Sequence, residues 1–173
     1  MLIDEFLPEH DFIETHNILI RADAADIYRV ANEIDFSESF IIRWLFRLRG
    51  MTAENLTLRA LRKSRFETLG ETLNKEMVLG LVGRFWTIQG GLKKIDAESF
   101  KKFDKAGYAK AVWNFSLDSE VDRTRLTTET RIKCLDADSR RSFGRYWMFI
   151  QPFSGLIRME ILKAIKRRAE RRA

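Results

Sequence analysis

The sequence is poor in the residues from which most recognisable functional sites are built. Its 173 residues include one cysteine, two histidines and two prolines. The single cysteine, Cys134, excludes an internal disulfide and is compatible with a reducing compartment. Neither His10 nor His16 has a second histidine or a cysteine at metal-ligand spacing, so we predict no metal site and no cofactor.

Motifs for covalent catalysis and for nucleotide binding are missing as well. No serine follows or precedes a histidine, and Cys134 has the surroundings of a buried strand residue, so a nucleophilic triad has no support. The nine glycines form neither a phosphate-binding loop nor a dinucleotide-binding motif. Nothing here indicates catalysis, and we favour a protein that is not an enzyme.

Long apolar segments are also lacking. No run of eighteen apolar residues occurs, and an acidic start with Asp4, Glu5 and Glu9 is unlike a signal peptide. We therefore expect a cytoplasmic location. Apolar and charged fractions of 45% and 32% are typical of a globular protein, and the length fits a single domain over residues 1–173.

Positive charge is concentrated at the C-terminal end. Arg158–Ala173 contains seven basic and two acidic residues, which gives +5 of the total net charge of +6. The remainder is nearly neutral and has no basic stripe, so nucleic acid is not expected as a partner. The basic helical tail, about residues 163–173, is interpreted either as a solvated helix end or as a peripheral contact with an anionic membrane.

Apolar periodicity predicts the order of the elements. After a mobile start, a strand over Asp11–Arg21 places Phe12, Ile18 and Ile20 on one side. Two short helices follow, one from Asp23 to about Asn32 and one from about Glu38 to Arg49. Further strands are predicted at Arg65–Glu71, Glu76–Ile88, Tyr108–Leu117 and Thr124–Leu135, with a turn at Gly90-Gly91 and a short helix or loop at Ala97–Asp104.

The last two strands form a hairpin with one apolar face. We expect Leu117 opposite Thr124 and Trp113 opposite Thr128, because a shift by one residue would bury Glu129 and Arg131. Those two residues are therefore predicted to form an exposed pair. The pattern of Glu76–Ile88 is apolar on both sides and leaves its inward face open.

A long amphipathic helix closes the chain from about Ala137. Its apolar stripe consists of Phe143, Tyr146, Trp147, Ile150, Phe153, Ile157, Ile161 and Ile165. More than thirty helical residues would span roughly 50 Å, so we expect a kink or break at Pro152. The last ten residues are predicted to project into solvent.

Small residues lie on the apolar face of the hairpin beside large rings. A close-packed sheet would carry Val, Ile or Leu at these positions, so we expect a cavity between sheet and helix. Its predicted lining consists of Phe85, Ala111, Trp113, Phe115, Thr128, Thr130, Tyr146 and Trp147. The alternative is that the rings simply fill the core. Arg84 could point inwards toward a carboxylate, although a solvent-facing position is favoured.

This order of elements resembles the helix-grip fold of the START-like (SRPBCC) superfamily, which includes polyketide cyclases and lipid-transfer proteins. Four segments are similar to those of bacterial members, namely Gly80–Trp86, Gly107–Phe115, Leu126–Arg131 and Pro152–Arg158. The resemblance implies an α+β fold in which a curved antiparallel sheet wraps around the long C-terminal helix, with two short helices after the first strand.

The resemblance also implies a function. We expect non-catalytic binding or transport of a small hydrophobic or amphipathic molecule, lipid- or polyketide-like, between the sheet and the C-terminal helix. One alternative is a cyclase- or dehydratase-type enzyme acting on a polyketide-like substrate in the same cavity. It requires an inward ionisable group, which the predicted hairpin register does not supply. Another is an interaction domain whose aromatic groove holds a segment of another protein, or which dimerises through Trp44 and Phe46.

Overall fold

The computed structural model describes residues 1–35, 66–87 and 90–171. Its elements are α1 (Leu2–Phe6), β1 (Phe12–Ile20), α2 (Ala24–Glu33), β2 (Glu67–Thr72), β3 (Glu76–Gly83), α3 (Ala97–Lys102), β4 (Ala109–Ser119), β5 (Thr124–Cys134) and α4 (Ala137–Ala169). The five described strands form one antiparallel sheet in the order β1-β5-β4-β3-β2. The predicted α+β helix-grip architecture is confirmed, although the second short helix, Glu38–Arg49, lies outside the described residues, as do Trp44 and Phe46.

The hairpin of β4 and β5 has a different register from the predicted one. Trp113 lies opposite Thr130, and Leu117 lies opposite Leu126. The prediction was therefore wrong by two residues. Because side chains alternate with a period of two, this shift leaves the composition of each face unchanged.

The inner face of the sheet packs against α4 and α2. Met77 and Leu79 of β3 belong to the same core as Trp113 and Phe115, together with Ile157 of α4. This settles the inward face of β3, which the sequence left open.

The outer face of the sheet is covered by α1 and α3. Val78, Val82 and Val112 are fully buried there beneath Ile3 of α1 and Phe100 of α3. The prediction of a mobile start was wrong, because residues 2–7 pack onto the sheet. Their apolar side chains are too few to indicate this by themselves.

Because α1 covers the outer face, Arg131 is buried there rather than exposed. Its side chain donates to Glu129 over 2.6 Å and to the Leu7 carbonyl over 3.1 Å, and it pairs with Asp4 at 2.8 Å. The predicted exposed pair was therefore wrong. Burial lowers the pKa of Arg131, but hydrogen bonds to Asp4 and Glu129 outweigh it, and the net direction is upward.

Helix α4 runs without interruption over 33 residues, so the break predicted at Pro152 is absent. Asp136 caps its first turn by accepting from the amide and the hydroxyl of Ser139, at 2.8 and 2.6 Å. These bonds and one from the Gly107 amide lower the pKa of Asp136 to about 2. None of the described helices is long and apolar enough to cross a membrane.

The end of α4 is packed rather than projecting. Ile165 and Ala169 are fully buried, and Lys166 Nζ donates to the Leu19 carbonyl over 2.9 Å. Glu170 accepts from the Arg21 amide over 3.0 Å. The prediction of a projecting tail was wrong, since one side of these turns contacts β1 and α2.

Candidate ligand-binding site

The inner face of the sheet is unevenly covered. Leu81 and Ala111 are neighbours on β3 and β4, where their side chains share the face that packs against α4, and both are partly exposed. The adjacent outward residues, Val82 and Val112, are fully buried. Inward residues on strands in the middle of a sheet are normally well covered. Helix α4 therefore leaves solvent-accessible space in front of Leu81 and Ala111.

Two packed regions border this space. Toward β2 and the end of α4, Trp113 and Phe115 are buried in the main core, with their ring centroids 4.9 Å apart. At the start of α4, Phe143 is buried among aromatic rings, and it stacks on Trp147 at 5.7 Å. The rings and apolar side chains packed around Phe143 are those of Phe12, Phe85, Trp86, Ala111, Tyr146 and Trp147.

The predicted lining residues therefore divide into two groups. Trp113, Phe115, Thr128 and Thr130 lie in the central and β5 part of the sheet. The other four, Phe85, Ala111, Tyr146 and Trp147, lie around Phe143. A single compact ring of eight residues is not what the structure forms, and binding by these residues stays a prediction.

The two predicted hydroxyls differ in their hydrogen bonds. Thr128 Oγ1 accepts from Trp113 Nε1 over 2.6 Å and donates to the Asn114 carbonyl over 2.9 Å, so it is already satisfied. Thr130 Oγ1 is buried and has no hydrogen-bond partner among the described residues. A buried polar group without a partner loses the hydrogen bonds it would make to water. Of the two predicted hydroxyls, Thr130 is therefore the one that makes no hydrogen bond to the described residues.

Sequence reasoning missed a polar cluster beside Thr130. Glu14 of β1 lies opposite Thr130, and its side chain is only 6% exposed. Its Oε1 lies 2.9 Å from His16 Nε2, and its Oε2 accepts from the Ser154 hydroxyl over 2.9 Å. Arg158 Nε lies 3.8 Å from the same oxygen. We call Glu14, His16, Ser154 and Arg158 the inner polar cluster.

Helix α4 approaches β1 closely at this cluster. A Cβ atom at Gly155 would lie 3.0 Å from Glu14 Oε1 and 3.5 Å from the His16 ring. The Arg158 guanidinium lies over the Trp113 ring at 4.8 Å, a favourable cation–π distance. The cluster thus connects the first strand and the closing helix to the centre of the sheet.

A signal for the cluster was present in the sequence. Phe12, Ile18 and Ile20 were placed on one side of β1, and the alternation puts Glu14 and His16 on that same side. The inward ionisable group that the enzyme alternative requires is therefore present, on β1 rather than on the hairpin.

An open groove of about 610 Å³ runs between β1 and α4 beside the cluster. Its lining consists of Ile13, Glu14, Thr15, His16, Gln151, Pro152, Gly155, Leu156 and Met159. A second depression of about 540 Å³ lies at the start of α4, near Asp136 and Arg84. None of the eight predicted lining residues borders either depression.

Other candidate groups do not join a site. Arg84 is exposed, with its guanidinium 4.7 Å from the centre of the Tyr108 ring, so it does not point inwards. Burial, with the nearby carboxylates of Asp11 and Asp136, raises the pKa of the Cys134 thiol to about 12. Within residues 1–35, 66–87 and 90–171, no three His, Cys, Asp or Glu side chains are grouped to hold a metal ion.

No protein-family model matches the chain, and no curated protein is similar to it. Among solved structures, the protein TTHA0849 of Thermus thermophilus is 11% identical with a TM-score of 0.38, and the match covers 91% of this chain and 97% of that one. The Zhui aromatase/cyclase of a Streptomyces species is 14% identical with a TM-score of 0.32, over 93% and 94% of the two chains. Similarities of this size do not bear on function.

Proposed function

We propose that this protein binds a small hydrophobic or amphipathic molecule, without catalysis, in the space between the sheet and α4. The observation that carries the proposal is the partial exposure of Leu81 and Ala111 in the middle of the inner face. An apolar concavity bordered by rings and a few polar groups suits a lipid- or polyketide-like molecule. Membership of the START-like superfamily is part of this proposal.

Polar groups at one side of the space would orient the bound molecule. Thr130 Oγ1 can donate or accept a hydrogen bond. Glu14 and Arg158 oppose each other in charge, so the site favours a ligand that is uncharged at this end. An alcohol, phenol or ketone fits these groups better than a carboxylate does.

Native mass spectrometry of the freshly purified protein tests the proposal, followed by solvent extraction of anything bound. A second assay uses Nile red, a neutral apolar dye that fluoresces in dry pockets. The Ala111→Trp variant should fill the space and weaken dye binding about tenfold or more. Its unfolding free energy should fall by less than about 1 kcal/mol, because Ala111 is partly exposed and the indole can extend from the packed side chains around Phe143 into the open space.

Ala109→Trp is the matched control. Ala109 lies on the same strand and face but is fully buried, so overpacking there should destabilise the protein by about 3 kcal/mol. A similar loss in Ala111→Trp would show that the region in front of Ala111 is already packed. That result, or dye binding unchanged by Ala111→Trp, contradicts the proposal.

A second candidate function is acid–base catalysis in the same site, and the Glu14–His16 contact is the observation that favours it. When an ionised Glu14 accepts the hydrogen bond, the His16 Nε2 that lies 2.9 Å away is the donor. In the neutral ring Nδ1 is then the basic nitrogen. Such a base could remove the proton beside a ketone and return it to the β-hydroxyl oxygen as the C–O bond breaks, so that an enone and water form, which is a dehydratase reaction.

Incubation with a β-hydroxyketone tests this candidate, with the absorbance of the conjugated enone as the readout. The His16→Gln variant should abolish the reaction while retaining Nile red binding. If the unmodified protein binds the dye but forms no enone, the proposal of catalysis is contradicted and the proposal of non-catalytic binding remains.

A further inference from the structure

Large apolar side chains are exposed together on the outer side of α4. Met148, Phe149 and Leu156 are 68%, 74% and 55% exposed. Pro152 is exposed between them, and Ile13 of β1 is exposed across the groove. Single exposed apolar residues are common on soluble proteins, but a contiguous group often marks an interaction surface. We call Met148, Phe149, Pro152 and Leu156 the apolar patch.

Cations flank the apolar patch along the same side of the helix. At 100° per residue, Arg145 precedes Phe149 by about one turn, and Lys163 and Arg167 follow Leu156 by about two and three turns. All three cations are exposed. The distance from Arg145 to Arg167 along the axis is about 33 Å.

Negative charge is scarce on this part of the helix. Residues 139–159 contain no Asp or Glu. Of the nearest acids on α4, Asp138 is paired with Arg141, and Glu160 is paired with Lys163, which must exchange Glu160 for a lipid phosphate on binding. On the neighbouring strand, Glu14 is buried and contacts His16, Ser154 and Arg158.

We propose that the apolar patch and its flanking cations dock α4 onto an anionic lipid membrane, lying parallel to the surface. Phe149, Met148 and Leu156 would enter the boundary between headgroups and acyl chains, while Arg145, Lys163 and Arg167 contact lipid phosphates. The proposed membrane-contacting surface thus lies in the middle and last third of α4, not on a free basic tail.

The charge pattern favours a membrane over a second copy of the chain. Two copies that pair through this side of α4 would bring like cations near one another at both ends of the patch. That repulsion opposes pairing, whereas anionic headgroups complement the same cations.

Co-sedimentation with vesicles tests the proposal. Vesicles containing phosphatidylserine should pellet the protein at low salt, and vesicles of phosphatidylcholine alone should bind it far more weakly. Phe149→Glu should weaken binding about tenfold or more. Combined Arg145→Gln, Lys163→Gln and Arg167→Gln should weaken it about a hundredfold, or about fivefold for each cation. High salt should have a similar effect.

Val121→Glu is the matched control, because Val121 is a fully exposed apolar residue in the β4–β5 loop. It makes the same change in charge away from α4 and should leave vesicle binding unchanged. Leu156→Glu is a second variant within the patch, and circular dichroism checks that each variant is folded. None of these readouts requires a bound ligand, so the result is independent of the proposed carrier function.

Three outcomes would overturn the proposal. The first is equal pelleting by phosphatidylcholine and phosphatidylserine vesicles. The second is unchanged binding of both Phe149→Glu and Leu156→Glu. The third is self-association, measured by light scattering, that Phe149→Glu abolishes in a protein that binds no vesicles, since a second copy would then be the occupant of the patch.

Discussion

The two faces of the sheet are covered to different extents. On the outer face, α1 and α3 bury Val82 and Val112 completely. On the inner face of the same two strands, α4 leaves Leu81 and Ala111 partly exposed. Among the described elements, the outer face of these two strands is thus buried more completely than the inner face.

The two faces also differ in how each binds its buried glutamate. Glu76, on the outer face, accepts from the Leu2 and Ile3 amides at 2.8 and 3.3 Å and from Asn114 at 2.8 Å. Glu14, on the inner face, has as its polar partners among the described residues the side chains of His16, Ser154 and Arg158. Backbone amides are fixed by the fold, whereas side chains can turn toward another partner. The outer carboxylate is therefore held by the fold itself, and the inner one is held by side chains alone among the described residues.

The largest predicted effect concerns the accessibility of two positions on the inner face. An Ala111→Cys thiol should react with iodoacetamide at pH 8 about a thousandfold faster than Cys134, because Cys134 is buried and only a small fraction of a thiol with a pKa of about 12 is ionised at that pH. Mass spectrometry of tryptic peptides separates the two sites. Rapid labelling of Cys134 in the folded protein would show that the inner face is open throughout.

The next effect concerns the outer carboxylate. Glu76→Ala removes three hydrogen bonds to buried or partly buried donors, and we expect the unfolding free energy to fall by about 3 kcal/mol. Urea denaturation measures the change. Glu120→Ala, in the exposed β4–β5 loop, is the control and should change stability by less than about 0.5 kcal/mol. An equal loss of unfolding free energy in both variants would contradict the structural role proposed for Glu76.

A smaller effect on stability is expected for the inner carboxylate. Glu14→Gln keeps the shape of the side chain and an oxygen that can accept from Ser154, so the loss should be about 1 kcal/mol. Nile red affinity should change by about tenfold, since the charge beside Thr130 is removed. If Glu14→Gln destabilises the protein as much as Glu76→Ala does, the two glutamates have the same structural role.

The smallest effect concerns the start of the helix that covers the inner face. The pKa of Asp136 is lowered to about 2 from an ordinary 3.8 by bonds to Ser139 and Gly107. A lowered pKa stabilises the fold above pH 4, and this stabilisation is lost as the pH falls from about 4 to about 2. Asp136→Asn should abolish that part of the pH dependence. An unchanged acid profile in stability measurements would show that the cap does not contribute.

Much of the fold could be predicted because it depends on local periodicity. Apolar alternation placed β4, β5 and the start of β1 within a residue or two, and the stripe from Phe143 to Ile165 identified α4. The hairpin register could not be fixed in this way, because a shift of two residues leaves each side chain on the same face. The pairing of Trp113 with Thr130 depends on the turn at residues 120–123.

The site was less predictable than the fold. Side-chain size predicted a cavity beside Ala111; this position is partly exposed, and the cavity stays a prediction. The docking of α1 depends on Glu76, which lies more than seventy residues along the chain, and no local pattern reveals such a contact. Glu14 was passed over because a charged residue on an apolar face usually argues against burial. Two of its partners, Ser154 and Arg158, lie on α4, and the third, His16, lies two residues along β1.

Pro152 weakens the hydrogen bonding of α4 at one point, although the helix is continuous there. Proline has no amide hydrogen, so the carbonyl of Met148 lacks its helical partner, and the ring crowds the preceding turn. The segment before Pro152 rests on the aromatic group around Phe143, and the segment after it is anchored in the main core by Ile157 and Ile161. The missing hydrogen bond at Pro152 thus lies between two parts of α4 that pack against separate clusters. Bending at Pro152 would move the segment before it relative to the sheet while the segment after it stays packed in the main core.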